Sequence, residues 1–156
     1  VIESFPLYFF GMPSQMKATT DRCLPFMLPY MGNLVEDKNA SFHELRDESM
    51  HEKRLVVITT CGYVDEKPMY PALLKQLDLI AGEGHYTAIL CPEGELFIAD
   101  KAKRQREGYL AEITRAGAEF AQNRALSEET KKRIAKPILS PKGFETITLA
   151  HWEMNK

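Results

Sequence analysis

The residues best suited to chemistry in this 156-residue chain lie in two short loops. The first is Pro6-Leu7-Tyr8-Phe9-Phe10-Gly11-Met12. Its flat side chains and free N–H groups suit a planar, hydrogen-bonding ring. A loop built for a bare phosphate is rich in glycine, whereas this one is apolar. The second loop, Thr60-Cys61-Gly62-Tyr63, offers a hydroxyl for a ring heteroatom and a glycine for close backbone approach. Tyr63 there can cover or edge a ring. Cys61 has no base beside it in sequence and reads as a small packing residue.

Each loop needs a strand to deliver it. Val1 to Phe5 reads as the end of a buried strand, stopped by Pro6. Pro13 then opens a helix at a position where a missing N–H costs nothing. Along it Met16, Thr20, Cys23, Leu24 and Met27 recur at helical spacing, and Lys17 and Asp21 sit four apart, able to pair. A loop between a strand's carboxyl end and a helix is where open α/β sheets bind ligands. Arg54 to Thr60 is a continuous β-branched run, which predicts a strand buried on both faces, as in a parallel sheet.

Pro6-x-Tyr8, then Gly11-Met12-Pro13-x-Gln15-Met16-Lys17, then Asp21-Arg22 resembles the first isoalloxazine loop of the flavodoxin-like NAD(P)H-dependent FMN reductase family. The resemblance covers most of the chain, is densest over residues 5–22, and makes Thr60 to Tyr63 the second flavin loop. It implies an α/β fold, a flavodoxin-like open parallel sheet sandwiched by helices. It further implies an FMN-dependent oxidoreductase passing electrons from NAD(P)H, the co-substrate, through the flavin to a small acceptor (quinone, flavin, nitro compound or metal ion). The cofactor-binding residues it points to are Pro6, Leu7, Tyr8, Phe9, Phe10, Gly11, Met12, Thr60, Cys61, Gly62 and Tyr63. Backbone N–H groups from Leu7 to Met12 would hold the ring's N5, O4 and pyrimidine edge. Hydride transfer needs no acid–base side chain, so no catalytic residue is named. The family commonly builds its pocket at a subunit interface, which implies a homodimer. Two other functions stay open: an electron carrier of the same fold without NAD(P)H turnover, and a flavin-free α/β module that binds a protein partner.

Further along, Pro71 to Ala81 predicts a helix with Leu73, Leu77 and Ile80 on its buried face, ended by Gly82 or Gly84. His85 to Leu90 predicts the next strand, and Glu93 to Phe97 a turn with a short extended piece. Lys101 to Arg124 predicts a long amphipathic helix burying Tyr109, Leu110, Ile113, Gly117 and Phe120. The basic run Lys101-x-Lys103-Arg104-x-Arg106 at its start reads as a solvated first turn rather than a nucleotide-phosphate clamp. Ser127 caps a short helix broken by Pro137, and Ser140 to Trp152 docks as a last helix through Phe144, Ile147 and Trp152.

With 156 residues and no linker or repeat, the chain is expected to be a single domain over 1–156. A net charge of −2 gives no electrostatic case for nucleic acid or an anionic membrane. No apolar run approaches the roughly 20 residues of a membrane span. Cys23, Cys61 and Cys91 are widely spaced and form neither a disulfide framework nor a metal site, which reads as a reducing, cytoplasmic setting and makes the Asn39-Ala40-Ser41 sequon meaningless. Tyr30 to Lys53 is a long polar connection. His43 and His51 within it do not complete a His-Glu-x-x-His motif and read as solvated loop residues. The family's phosphate-binding loop follows a first strand, and no equivalent is present. The resemblance therefore places this chain after two missing strands, so that on the order of 70–90 further residues are expected before Val1.

Overall fold

The computed structural model describes residues 1–28, 45–65 and 67–154. The sequon and His43 fall outside these residues, as do most of the polar connection and the side chain of His51. Within them lie three strands, β1 (Ile2–Pro6), β2 (Leu55–Thr60) and β3 (Tyr86–Cys91), in one parallel open sheet of order β1-β2-β3. Five α-helices accompany them: α1 (Ser14–Asp21), α2 (Pro71–Ala81), α3 (Lys103–Asn123), α4 (Glu128–Ile134) and α5 (Pro141–Met154). The class is α/β, as the alternation of strand and helix patterns predicts. The chain forms two compact units that interleave in sequence. One comprises Val1–Thr59 with Tyr70–Ala88, the other Thr60–Met69 with Ile89–Lys156.

In the first unit the register of β1 on β2 is set at the chain start. The Val1 ammonium donates to the Arg54 carbonyl at 2.7 Å, and Val56 N–H donates to the Val1 carbonyl at 2.9 Å. Val56, Val57 and Thr59 are all buried, so adjacent residues of β2 point into protein on both faces. Pro71 starts α2, Leu73 and Leu77 are its buried positions, and Gly82 ends it at φ 88°, a left-handed value that glycine adopts without strain. Tyr86 at the start of β3 donates its hydroxyl to Asp78 Oδ1 at 2.8 Å and to the Leu74 carbonyl at 3.3 Å, fixing strand to helix. The helix opened by Pro13 is shorter than the apolar spacing predicts. It stops at Asp21, and Leu24–Phe26 form a 3-10 turn instead. Pro25 is the reason, since its ring collides with the carbonyl four residues back and it has no N–H to continue the helix.

In the second unit Leu96, Ala99 and Ala102 form a buried cluster, against which Ile138, Leu139, Phe144 and Ile147 pack. Glu93 to Phe97 is not extended. Glu93 takes a left-handed φ of 54° and Gly94–Phe97 wind into a 3-10 turn. The long helix starts at Lys103, after a separate 3-10 turn over Asp100–Ala102. Its buried positions are Tyr109 and Ala116, one heptad apart, whereas Leu110 is 42% exposed and Gly117 is also exposed. The buried stripe of α3 therefore runs through Tyr109 and Ala116 rather than Leu110 and Gly117. Tyr109 donates to the Ile134 carbonyl at 2.9 Å, and its ring meets Phe97 edge-on at 6.0 Å. Ser127 caps α4 through Thr130 N–H, as its sequence predicts. Glu119 of α3 reaches the same turn, accepting from Ser127 N–H and the Thr130 hydroxyl.

Candidate functional site

The first predicted loop belongs to the first unit and is a tight hairpin tip. Tyr8 N–H donates to the Gly11 carbonyl at 3.2 Å, and Gly11 N–H returns a bond to the Tyr8 carbonyl at 3.0 Å. The two residues between them, Phe9 and Phe10, have φ of 47° and 64°. Positive φ at both central positions is the geometry of a type I′ turn, which normally selects Asn-Gly. Two bulky side chains there cost on the order of 1–3 kcal/mol each. Among the described residues burial offsets little of that cost, because Phe9 is 100% exposed, Phe10 48% and Tyr8 61%. Gly11, the glycine of this loop, does not take a positive φ.

The turn changes which donors are available. Tyr8 and Gly11 spend their N–H groups on each other, while those of Phe9 and Phe10 have no partner among the described residues. Pro6 ends β1 exposed, Leu7 and Met12 are half-buried, and Met12 Sδ accepts from the Thr20 hydroxyl at 3.7 Å, which ties the loop to α1. Lys17 and Asp21 pair as their spacing predicts, each side chain about half exposed.

Thr60, Cys61, Gly62 and Tyr63 belong to the second unit and are held there by backbone. Cys61 N–H donates to the Cys91 carbonyl at 3.1 Å, Gly94 N–H to the Cys61 carbonyl at 2.6 Å, and Glu93 N–H to the Tyr63 carbonyl at 3.0 Å. The thiol of Cys61 is buried, with the Tyr63 carbonyl 3.7 Å away, which fits the packing role expected of it. Tyr63 presents its ring to solvent. A Cβ at Gly62 would meet Glu95 Oε1 at 3.6 Å, an ordinary contact. The close backbone approach falls on Gly94, where a Cβ would lie 3.2 Å from both the Cys61 carbonyl oxygen and Thr60 Cβ. Sequence reading missed Gly94, and the available signal was a glycine three residues past the end of β3, in Pro92-Glu93-Gly94.

Glu95 and Trp152 were also missed as a pair. The indole N–H of Trp152 donates to Glu95 Oε2 at 3.3 Å, although the ring is mostly exposed. Of the basic run, Arg106 donates to the Phe97 carbonyl at 2.8 Å, and Lys101, Lys103 and Arg104 are exposed. Three or more His, Cys, Asp or Glu side chains that could hold a metal do not come together among the described residues. No helix among the described residues is long and apolar enough to cross a membrane. Comparison of the chain with family models, with curated proteins and with solved structures finds no match.

Proposed function

We propose that this chain is a flavodoxin-like, FMN-dependent oxidoreductase whose first loop, Pro6 to Met12, receives the isoalloxazine ring. One observation carries the reading. A strained turn at the carboxyl end of a parallel strand displays two aromatic rings and two unspent N–H donors. Strain kept at an exposed tip with no packing to offset it marks a position whose conformation is used in binding. Phe9 and Phe10 supply flat faces for a planar ring, and their N–H groups supply donors for its heteroatoms. This narrows the donor set expected from the sequence, since the N–H groups of Tyr8 and Gly11 hold the turn closed.

When bound there, FMN would supply the chemistry of hydride transfer from NAD(P)H and of electron delivery to a small acceptor. The part of this chain is to hold and orient the ring. Pro6 and the paired Tyr8 and Gly11 fix the loop's exit from β1, and the Met12–Thr20 contact anchors its far side on α1. Thr60 to Tyr63, held by the bonds from Glu93 and Gly94, is assigned to flavin through the resemblance alone. A homodimer and a cytoplasmic setting belong to the same proposal. Titration of the purified chain with FMN, followed by quenching of flavin fluorescence, tests it. Saturable binding, with NAD(P)H oxidation by the loaded protein, is the expected result. A chain that takes up no FMN overturns it, and binding without NAD(P)H oxidation favours the electron carrier.

A further inference from the structure

The first unit contains a cavity of about 350 Å³ between α2 and the segment formed by α1 with the 3-10 turn after it. Its existence follows from how little these elements bury. No residue of α1 is fully buried, and α2 spends only Leu73 and Leu77 on the core. Leu24 and Met27 on one side, with Leu79 and Ile80 on the other, leave an apolar hollow. The volume sits near the lower end of the roughly 300–1,000 Å³ typical of small-molecule sites.

The polar groups around it restrict what fits. Lys17 and Asp21 both line the cavity and are bonded to each other, so its wall carries no net charge. An anion would have to displace Asp21 from Lys17, and a cation the reverse. The Thr20 hydroxyl is already committed to the Met16 carbonyl and Met12 Sδ. The amide of Gln76 has no hydrogen-bond partner among the described residues, and it offers both a donor and an acceptor. Met27 adds a flexible, polarisable wall that adapts to irregular apolar shapes.

We infer that this cavity is a binding site for a neutral, largely apolar small molecule with one carbonyl or hydroxyl group, its body against Leu24, Met27, Leu79 and Ile80 and its oxygen at Gln76. The site is independent of the flavin reading and stands whether or not the chain binds FMN.

The test uses prodan, a neutral naphthyl ketone whose emission reports its surroundings, beside the anionic probe anilinonaphthalene sulfonate. Prodan is expected to bind saturably at one site per chain, and the sulfonate about tenfold more weakly or worse. Leu79→Lys places a charge at an exposed position of the wall and lowers prodan affinity by about tenfold or more. Gln76→Leu keeps the volume, removes the amide and weakens prodan by about fivefold. Ile98→Lys, at an exposed site in the second unit, leaves it unchanged. Unsaturable binding, equal affinity for the sulfonate, or indifference to both Leu79→Lys and Gln76→Leu overturns the assignment. So does displacement of prodan by FMN, which would place the probe at the flavin loop. A dimer that sedimentation shows to be dissolved by Leu79→Lys also overturns it, because the hollow would then be a self-interface.

Discussion

The carboxylate of Glu93 accepts the backbone N–H of Leu139 at 3.0 Å, and it accepts that of Ile138 as well. Glu93 has no exposed surface, sits 46 residues away from Leu139 in sequence, and takes a left-handed backbone to reach it. One side chain thus ties the end of β3 to the lead-in of α5. Truncation to Ala removes the acceptor for two N–H groups at once. Glu93→Ala is expected to lower unfolding free energy by about 2–3 kcal/mol, measured by urea denaturation.

The same carboxyl gives a pH signature. Burial pushes its pKa above the ordinary 4.5, against the opposing pull of the Leu139 and Ile138 N–H bonds. Over the window between 4.5 and the raised value, the folded chain holds a proton that the unfolded chain has released, so this group's contribution falls as pH rises. Glu119, held below the usual carboxylate range by Thr130 and Ser127, acts oppositely and loses its contribution as pH falls. Comparing denaturation midpoints of Glu93→Gln and the unaltered chain across the acid range isolates the first effect. The unaltered chain should lose stability relative to the variant as pH rises through that window.

Tyr86 predicts an alkaline limit. Burial and its bond to Asp78 push the phenol well above its ordinary value of 10.0. The folded chain therefore keeps this proton after the unfolded chain has lost it, and stability declines as pH climbs past 10.0. In Tyr86→Phe the decline should flatten, while stability at neutral pH drops by about 1 kcal/mol for the lost hydrogen bonds. An unchanged alkaline slope in the variant would refute the assignment.

Thr59 predicts a gain. Its hydroxyl is fully buried in β2 and has no partner among the described residues. Thr59→Val keeps the branched shape and removes an unpaid desolvation cost, so stability should rise by about 1 kcal/mol. A drop in the thermal midpoint would show that the hydroxyl has a use.

The hairpin tip separates conformation from contact. Phe9→Asn with Phe10→Gly installs the residues a type I′ turn prefers. The double variant should be more stable by about 1–3 kcal/mol, through release of backbone strain. It should also lose FMN affinity by about tenfold or more, since both rings are gone. A variant that binds flavin as well as the unaltered chain removes the aromatic role from the proposed function.

What could be read from sequence, and what could not, follows from the range of the interactions involved. β2, α2 and α4 declare themselves locally, through the β-branched run 55–60, Pro71 with Gly82, and Ser127 with its acidic first turn. The helix after Pro13 was overextended because apolar spacing alone carries no weight against Pro25. The stripe on α3 falls away from Leu110 because Ala116, a weak hydrophobe by sequence, is fully buried. Glu93 was invisible as a structural residue, since its partners lie 45 and 46 positions away. At the candidate site, the sequence located the loop from Pro6 to Met12 by its aromatics, but not which residues take positive φ. Type I′ turns select Asn-Gly there, so nothing in Phe9-Phe10 announces the turn.

The placement of the three thiols gives the molecule a built-in chemical counter. Cys23 is partly accessible, whereas Cys61 is buried in the second loop and Cys91 is buried at the carboxyl end of β3. An alkylating reagent should therefore add one mass increment to the native chain promptly, and the next two only when that part of the chain opens. The interval between the first and later additions times that opening directly, with no engineered label.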